Sequence, residues 1–155
     1  MKGNEQILTL LNARLSEELT AINQYIVHSE MCANWGYDKL HDMIEKRAIG
    51  EMKHAEEIIG RLLFLEGTPI VSNLNKMHIG DNVEKMLEND RQAEMDAIQA
   101  YRDSIRIAME VGDFGTYELF EEILVDEEEH IDELEEQQDQ ISQMGVQIYL
   151  SRQLE

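Results

Sequence analysis

Shifted by 76 positions, the distance from Glu18 to Glu94, this sequence lies over itself. Glu18-Leu19-Thr20-Ala21-Ile22-Asn23-Gln24-Tyr25 falls on Glu94-Met95-Asp96-Ala97-Ile98-Gln99-Ala100-Tyr101. The same shift carries Gly36 to Gly112, Glu51 to Glu127 and His54 to His130. A chain of this kind has two similar halves that can pack about a pseudo-two-fold axis. Each half reads as a helical hairpin, because apolar residues recur at helical spacing. Leu11, Leu15, Ile22 and Tyr25 mark the first helix, and Leu40, Ile44, Ile58 and Leu62 the second. Leu87, Ala97, Tyr101 and Ile105 mark the third, and Phe120, Ile123, Leu124, Ile131 and Leu134 the fourth.

Strand signals are absent, and Pro69 is the only proline, so little obstructs helix formation. Trp35-Gly36 and Val111-Gly112 supply tight helix stops. From Gly67 to Asn82 the chain carries Pro69, Ser72, Asn73, Asn75 and Gly80, enough residues to run the length of a bundle. Gly145 ends the fourth helix, and 146–154 has room for a short fifth. The expectation is an all-α fold in one domain, 1–155: a four-helix bundle with one long crossover and a short C-terminal fifth helix.

Glu51-Met52-Lys53-His54 and Glu127-Glu128-Glu129-His130 are the motifs that carry chemistry. Residues i and i+3 share a helix face, so each Glu and its His can reach one point. A lone Glu-x-x-His is usually a solvated face. Here both copies fall on the apolar stripes, and each follows another stripe glutamate, Glu18 or Glu94, by 33 positions. Four carboxylates therefore point into one core. Unpaired buried carboxylates are prohibitively costly, and the sequence shows no Lys or Arg on the same central layer of all four stripes. Two divalent cations balance four glutamates with both histidines neutral. Oxygen ligands with one imidazole per ion suit iron or manganese, and a Glu on two helices with Glu-x-x-His on the other two is the di-iron or di-manganese arrangement.

A net charge of −20 leaves no basic surface for nucleic acid but is compatible with attracting cations. No apolar run approaches the ~20 residues of a bilayer span, the start lacks the apolar core of a signal peptide, and the single Cys32 excludes an internal disulfide framework. A reducing cytoplasm fits these features. Cys32 reads as a small helix residue, His28, His41 and His78 as surface or capping residues, and Glu133, Glu135 and Glu136 as a solvated face.

These residues resemble the ferritin-like superfamily and, more narrowly, the bacterioferritins. The likeness runs through Met1-Lys2-Gly3, Ala21-Ile22-Asn23-Gln24-Tyr25, Asn34-Trp35-Gly36, Glu51-Met52-Lys53-His54-Ala55, Phe64-Leu65-Glu66-Gly67, Asp126-Glu127-Glu128 and His130-Ile131-Asp132. The resemblance implies iron storage and detoxification in a hollow homo-oligomeric shell of two dozen subunits. Each bundle would hold a ferroxidase centre that oxidises Fe(II) with O2 or H2O2. Glu18 and His54 would bind one iron, Glu94 and His130 the other, and Glu51 and Glu127 would bridge them. Tyr25 would serve electron transfer, with a core aromatic bonded to a ligand glutamate as the plainer role.

Met52 lies about 100° round the helix from Glu51 and faces outward. The resemblance makes it the axial ligand of a b-type haem shared by two subunits on a two-fold axis, with Leu19, Ile22, Asn23 and Ile26 lining that interface. A ferredoxin-type donor would release the stored iron. Lys46 and Gly50 depart from the histidine and aspartate that hold iron on the inner surface of many relatives, so that auxiliary site is not expected. Glu45 replaces a residue that is often aromatic beside the haem. A rubrerythrin-like di-iron peroxidase without its rubredoxin module is the alternative. A miniferritin with its site between subunits fits the four-helix ligand distribution less well.

Overall fold

The computed structural model describes residues 1–154. Five helices follow in order: α1 (Glu5–Asn34), α2 (Asp38–Phe64), α3 (Val83–Glu110), α4 (Phe114–Met144) and α5 (Val146–Ser151). Residues 65–82 form the crossover between α2 and α3. Side chains cap the exposed amides that begin three of these helices. Asn4 Oδ1 accepts from the amides of Gln6 and Ile7, Asn82 Oδ1 from that of Lys85, and Asp113 Oδ1 from that of Thr116. Asp113 also takes a hydrogen bond of 2.7 Å from Arg61, which ties the end of α2 to the start of α4.

Helix stops fall at Gly36 (φ 83°), Gly112 (φ 78°) and Gly145 (φ 82°), as the sequence pattern predicts. After α2 the left-handed position is Glu66 (φ 60°), a non-glycine residue there. The amide of Gly67 still closes that turn on the carbonyl of Leu62 at 2.8 Å.

α1 packs with α2 and α3 with α4, as two hairpins, and α1 meets α3 while α2 meets α4. The crossover lies along one polar edge of α1. Asn12 Oδ1 accepts from the Ile70 amide, Thr20 Oγ1 from Asn75, Gln24 Oε1 from His78 and His28 Nε2 from Gly80. Such side chains satisfy backbone groups that a helix or sheet would otherwise satisfy. The strap thereby carries the chain from one end of α1 to the other, so α3 runs antiparallel to α1. At its far end Gly80 is obligatory, because a Cβ there would lie 2.4 Å from the Met86 nitrogen.

The core has two apolar ends with a polar layer between them. One end gathers Leu11, Leu15, Ala55, Ile58, Leu62, Tyr101, Phe120 and Ile123. The other gathers Tyr25, Leu40, Ile44, Ala48, Met86, Leu87, Leu134 and Tyr149. Along α2 the order is Ala48, Glu51, His54, Ala55, so the Glu-x-x-His motif sits where the two clusters separate. α5 closes the second end through Tyr149, which is fully buried and donates to Gln137 Oε1 at 2.6 Å.

Two expectations need correction. His28 is no surface residue: it is fully buried, with Nδ1 2.8 Å from Asp90 and Nε2 accepting from the crossover. It lies on a polar stripe that the strap covers, and the stripe alone reads as solvent-facing. Likewise Arg47, one turn before Glu51, is a buried cation. Its guanidinium lies 3.6 Å from Asp90 and 3.7 Å from Glu133, which is therefore not merely a solvated carboxylate. Cys32 is a buried helix residue, its thiol pushed up to about 11 by burial and by the Asp90 charge.

Candidate metal centre

Glu18, Glu51, Glu94 and Glu127 are each at most 2% exposed. One comes from each long helix, because each takes a core position on its own apolar stripe. His54 is 3% exposed and its Nδ1 lies 3.0 Å from Glu127, 3.4 Å from Glu51 and 3.6 Å from Glu18. His130 Nδ1 lies 2.8 Å from Glu51, 3.5 Å from Glu94 and 3.8 Å from Glu127. Two overlapping sets result, each with ligand atoms within 4.8 Å of one another: Glu18, Glu51, His54, Glu127 and Glu51, Glu94, Glu127, His130. Glu51 and Glu127 belong to both. All six residues singled out in the sequence meet here.

Glu18 Oε2 and Glu94 Oε2 are buried with no hydrogen bond, and the contacts of Glu51 Oε1 with His130 Nδ1 (2.8 Å) and of Glu127 Oε1 with His54 Nδ1 (3.0 Å) are close but not aligned as hydrogen bonds. An unmade bond on a buried carboxylate is expensive, and here four such oxygens converge. The donor set, four carboxylates and two imidazoles, fits a pair of hard or borderline dications. Arg47 does not fill this role, since it pairs with Asp90 and Glu133 and not with the four glutamates.

The ionisation of the cluster shows the same stress. Burial, then the charges of Glu18 and Glu94, push the Glu51 carboxyl well above its usual range. Burial, Glu94 and Glu51 do the same to Glu127. Burial would raise Glu94 too, yet the Glu127 carboxyl and the His130 imidazole beside it hold it down to about 2. Burial disfavours protonated His54, but Glu127, Glu18 and Glu51 outweigh it and raise its pKa. His130 is raised against burial chiefly by Glu94. Without cations, the shifts favour protons on the Glu51 and Glu127 carboxyls and on both imidazoles.

Two tyrosines brace the outer glutamates. Tyr25 donates to Glu94 Oε1 at 2.6 Å, and Tyr101 donates to Glu18 Oε1 at 2.5 Å. Burial and the adjacent carboxylates hold both hydroxyls protonated, as donors. Each ring lies under a guanidinium, Arg47 at 5.4 Å from the Tyr25 centroid and Arg14 at 5.8 Å from that of Tyr101. The sequence singles out Tyr25 and shows Tyr101 only as a core residue, although the 76-residue shift pairs them. Asp126 was also missed: its Oδ2 is 2.8 Å from His54 Nε2, the ring nitrogen that faces away from the centre.

A cleft of ≈ 360 Å³ reaches the layer between α1, α3 and the crossover. It is bordered by Glu17, Gln24, Lys76 and Asp96 and ends on Glu18, Glu51 and Glu127. On the outside of the hairpin Met52 is 44% exposed, as its register predicts, and Ile26 and Ile49 are exposed apolar residues too. Glu45 pairs with His41 at 3.3 Å, and Lys46 is exposed.

Bundle and acid layer together define a ferritin-like protein, and residues 8–144 match the family described as the ferritin-like domain. Relatives narrow the class. A bacterioferritin of Brucella melitensis is 40% identical over 96% of this chain and 92% of its own length. Bacterioferritins of Mycolicibacterium paratuberculosis (40%, over 96% of this chain and 94% of the relative) and Rhodobacter capsulatus (41%, over 95% and 91%) match as extensively. The chain belongs to the bacterioferritin family.

Proposed function

We propose that this protein oxidises Fe(II) at the buried layer and stores the ferric product, as a single-domain subunit of a hollow shell. The observation that carries the reading is the pair of ligand sets sharing Glu51 and Glu127, with buried carboxylate oxygens in both sets that make no hydrogen bond. Glu18 and His54 hold one ferrous ion, Glu94 and His130 the second, and Glu51 and Glu127 reach both. The cleft beside Glu17 and Asp96 admits cations to this layer, and its carboxylates favour them.

The protein's part in the chemistry is positioning and charge compensation. Two substrate ions each give up one electron. The two-electron oxidant takes both with two protons, dioxygen leaving as hydrogen peroxide, or hydrogen peroxide leaving as two waters. Protons displaced from Glu51, Glu127, His54 and His130 by cation binding are available at the site. Tyr25, with its hydroxyl on Glu94, is the oxidisable side chain assigned to electron transfer. The apolar clusters on both sides exclude bulk water and so strengthen each electrostatic contact in the layer.

Storage requires assembly, and the exposed Ile26, Ile49 and Met52 support a subunit contact on the outer face of α1 and α2. The two dozen subunits, cytoplasmic location and ferredoxin-type iron release implied by the family complete the proposal. The exposed thioether of Met52 has the chemistry of a haem axial ligand. Met52 and its two-fold copy would hold a b-type haem, which supplies a redox-active iron between subunits. Loss of the Soret band in Met52→Ala checks this assignment, and an unchanged band removes Met52 from it. For the oxidation site, aerobic Fe(II) addition should give a fast phase that saturates at two irons per chain. Glu18→Ala and His130→Ala should each abolish that phase; retention in both places the chemistry elsewhere.

A further inference from the structure

The internal repeat is kept at every residue of the acid layer. Glu18 and Glu94, Glu51 and Glu127, His54 and His130, and the two tyrosines all correspond under the 76-residue shift. It is broken one step further out. The shift that carries His54 to His130 carries position 50 to Asp126, and position 50 is a glycine. Asp126 Oδ2 lies 2.8 Å from His54 Nε2. On the other side, a Cβ built on Gly50 would lie 3.5 Å from His130 Nε2 and 3.6 Å from its Cε1. Position 50 therefore faces the outer edge of His130 as Asp126 faces that of His54, with nothing there to accept a hydrogen bond. Among the described residues His130 Nε2 has no partner, and the His130 side chain is 17% exposed against 4% for His54.

Packing does not require this glycine. The Cβ distances are ordinary van der Waals contacts, and Gly50 is not among the glycines with positive φ. It also sits mid-helix, where Gly costs about 1 kcal/mol relative to Ala. A carboxylate behind a ligand imidazole fixes its tautomer and ring orientation and raises its basicity, and losing such a partner typically costs about 10–100-fold in metal affinity.

We propose that the centre is built of two unequal halves, a firm cation site at Glu18 and His54 anchored by Asp126, and a weaker, exchangeable one at Glu94 and His130, left loose by Gly50. This rests on the reading of the layer as a two-cation site. Asp126 is a positioning residue, acting through His54. The consequence is a fixed order of filling, with the His54 half occupied first and the His130 half the one that exchanges ions.

Cobalt(II), whose visible bands report ligation without turnover, tests the order on the metal-free, full-length protein. At one cobalt per chain, anomalous diffraction should place the ion in the His54 half. In solution a second, weaker step follows. Gly50→Asp should tighten that weaker step by about 10-fold or more and leave the first unchanged. Gly50→Ala, which restores helix propensity without a carboxylate, should leave both steps as they are, and Asp126→Ala should weaken only the first. Equal occupancy of the halves at one cobalt per chain, or the same response to Gly50→Asp and Gly50→Ala, overturns the proposal. Absence of saturable cobalt binding overturns the two-cation reading itself, and the inequality with it.

Discussion

The apolar ends of the bundle and the acid layer between them are buried to the same degree yet obey opposite rules. At the ends, Leu11, Ile58, Leu62 and Phe120 are fully buried and every contact favours folding. In the layer, Glu18, Glu51, Glu94 and Glu127 are no more exposed, but they repel one another and leave oxygens without partners. The ends hold the helices together; the layer uses part of that stability to keep a charged site preformed. Burial alone therefore does not say whether a residue stabilises the fold, and substitutions in the two regions should differ in sign.

Leu11→Ala, at an apolar end, should cost about 2–5 kcal/mol whether or not cations are bound, measured by thermal or denaturant unfolding. Glu51→Gln should do the reverse in metal-free protein. Burial and the neighbouring carboxylates raise the folded pKa of Glu51, so its contribution to stability is fully present below its unfolded pKa of about 4.5 and is lost as pH rises toward the folded value. Gln does not titrate. The variant should thus melt above the wild type, by a margin that widens from about pH 4.5 toward neutrality. The same variant should lose most of the stabilisation that added dications give the wild type. A metal-free Glu51→Gln protein less stable than wild type at neutral pH would erase the distinction between the regions.

Proton counting sharpens the same contrast. Binding two dications should release up to one proton each from Glu51, Glu127, His54 and His130, the groups whose pKa values the metal-free cluster raises. Calorimetry in buffers of different ionisation enthalpy measures this release, and none is expected from variants that no longer bind. The smallest effect lies outside both regions. Glu66 holds the left-handed turn after α2, and Glu66→Gly should add about 1 kcal/mol by relieving that conformation, with no change in cation binding.

Much of this could be read from the sequence because helical period and repeat spacing act over short distances. The stripe of Ile44, Ile58 and Leu62 holds Glu51 and His54 too, and the glycine stops at Gly36 and Gly112 set the hairpins. What escaped depended on contacts between segments far apart in the chain. His28, Gln24 and Thr20 form a polar stripe that becomes interior only when the crossover lies on it. Arg47 is buried only because Asp90 and Glu133 arrive from α3 and α4. Tyr101 was within reach of the repeat, whose first half already named Tyr25. Asp126 was not, because its counterpart is Gly50 and the shift shows no match there.

Crystals of the metal-free protein soaked with Fe(II) without oxygen test the central claim most directly. The account predicts two anomalous iron peaks per chain, one among Glu18, Glu51, His54 and Glu127 and the other among Glu51, Glu94, Glu127 and His130. An empty layer, its glutamates still held only by one another, the histidines and the two tyrosines while iron lies on the surface, would contradict it.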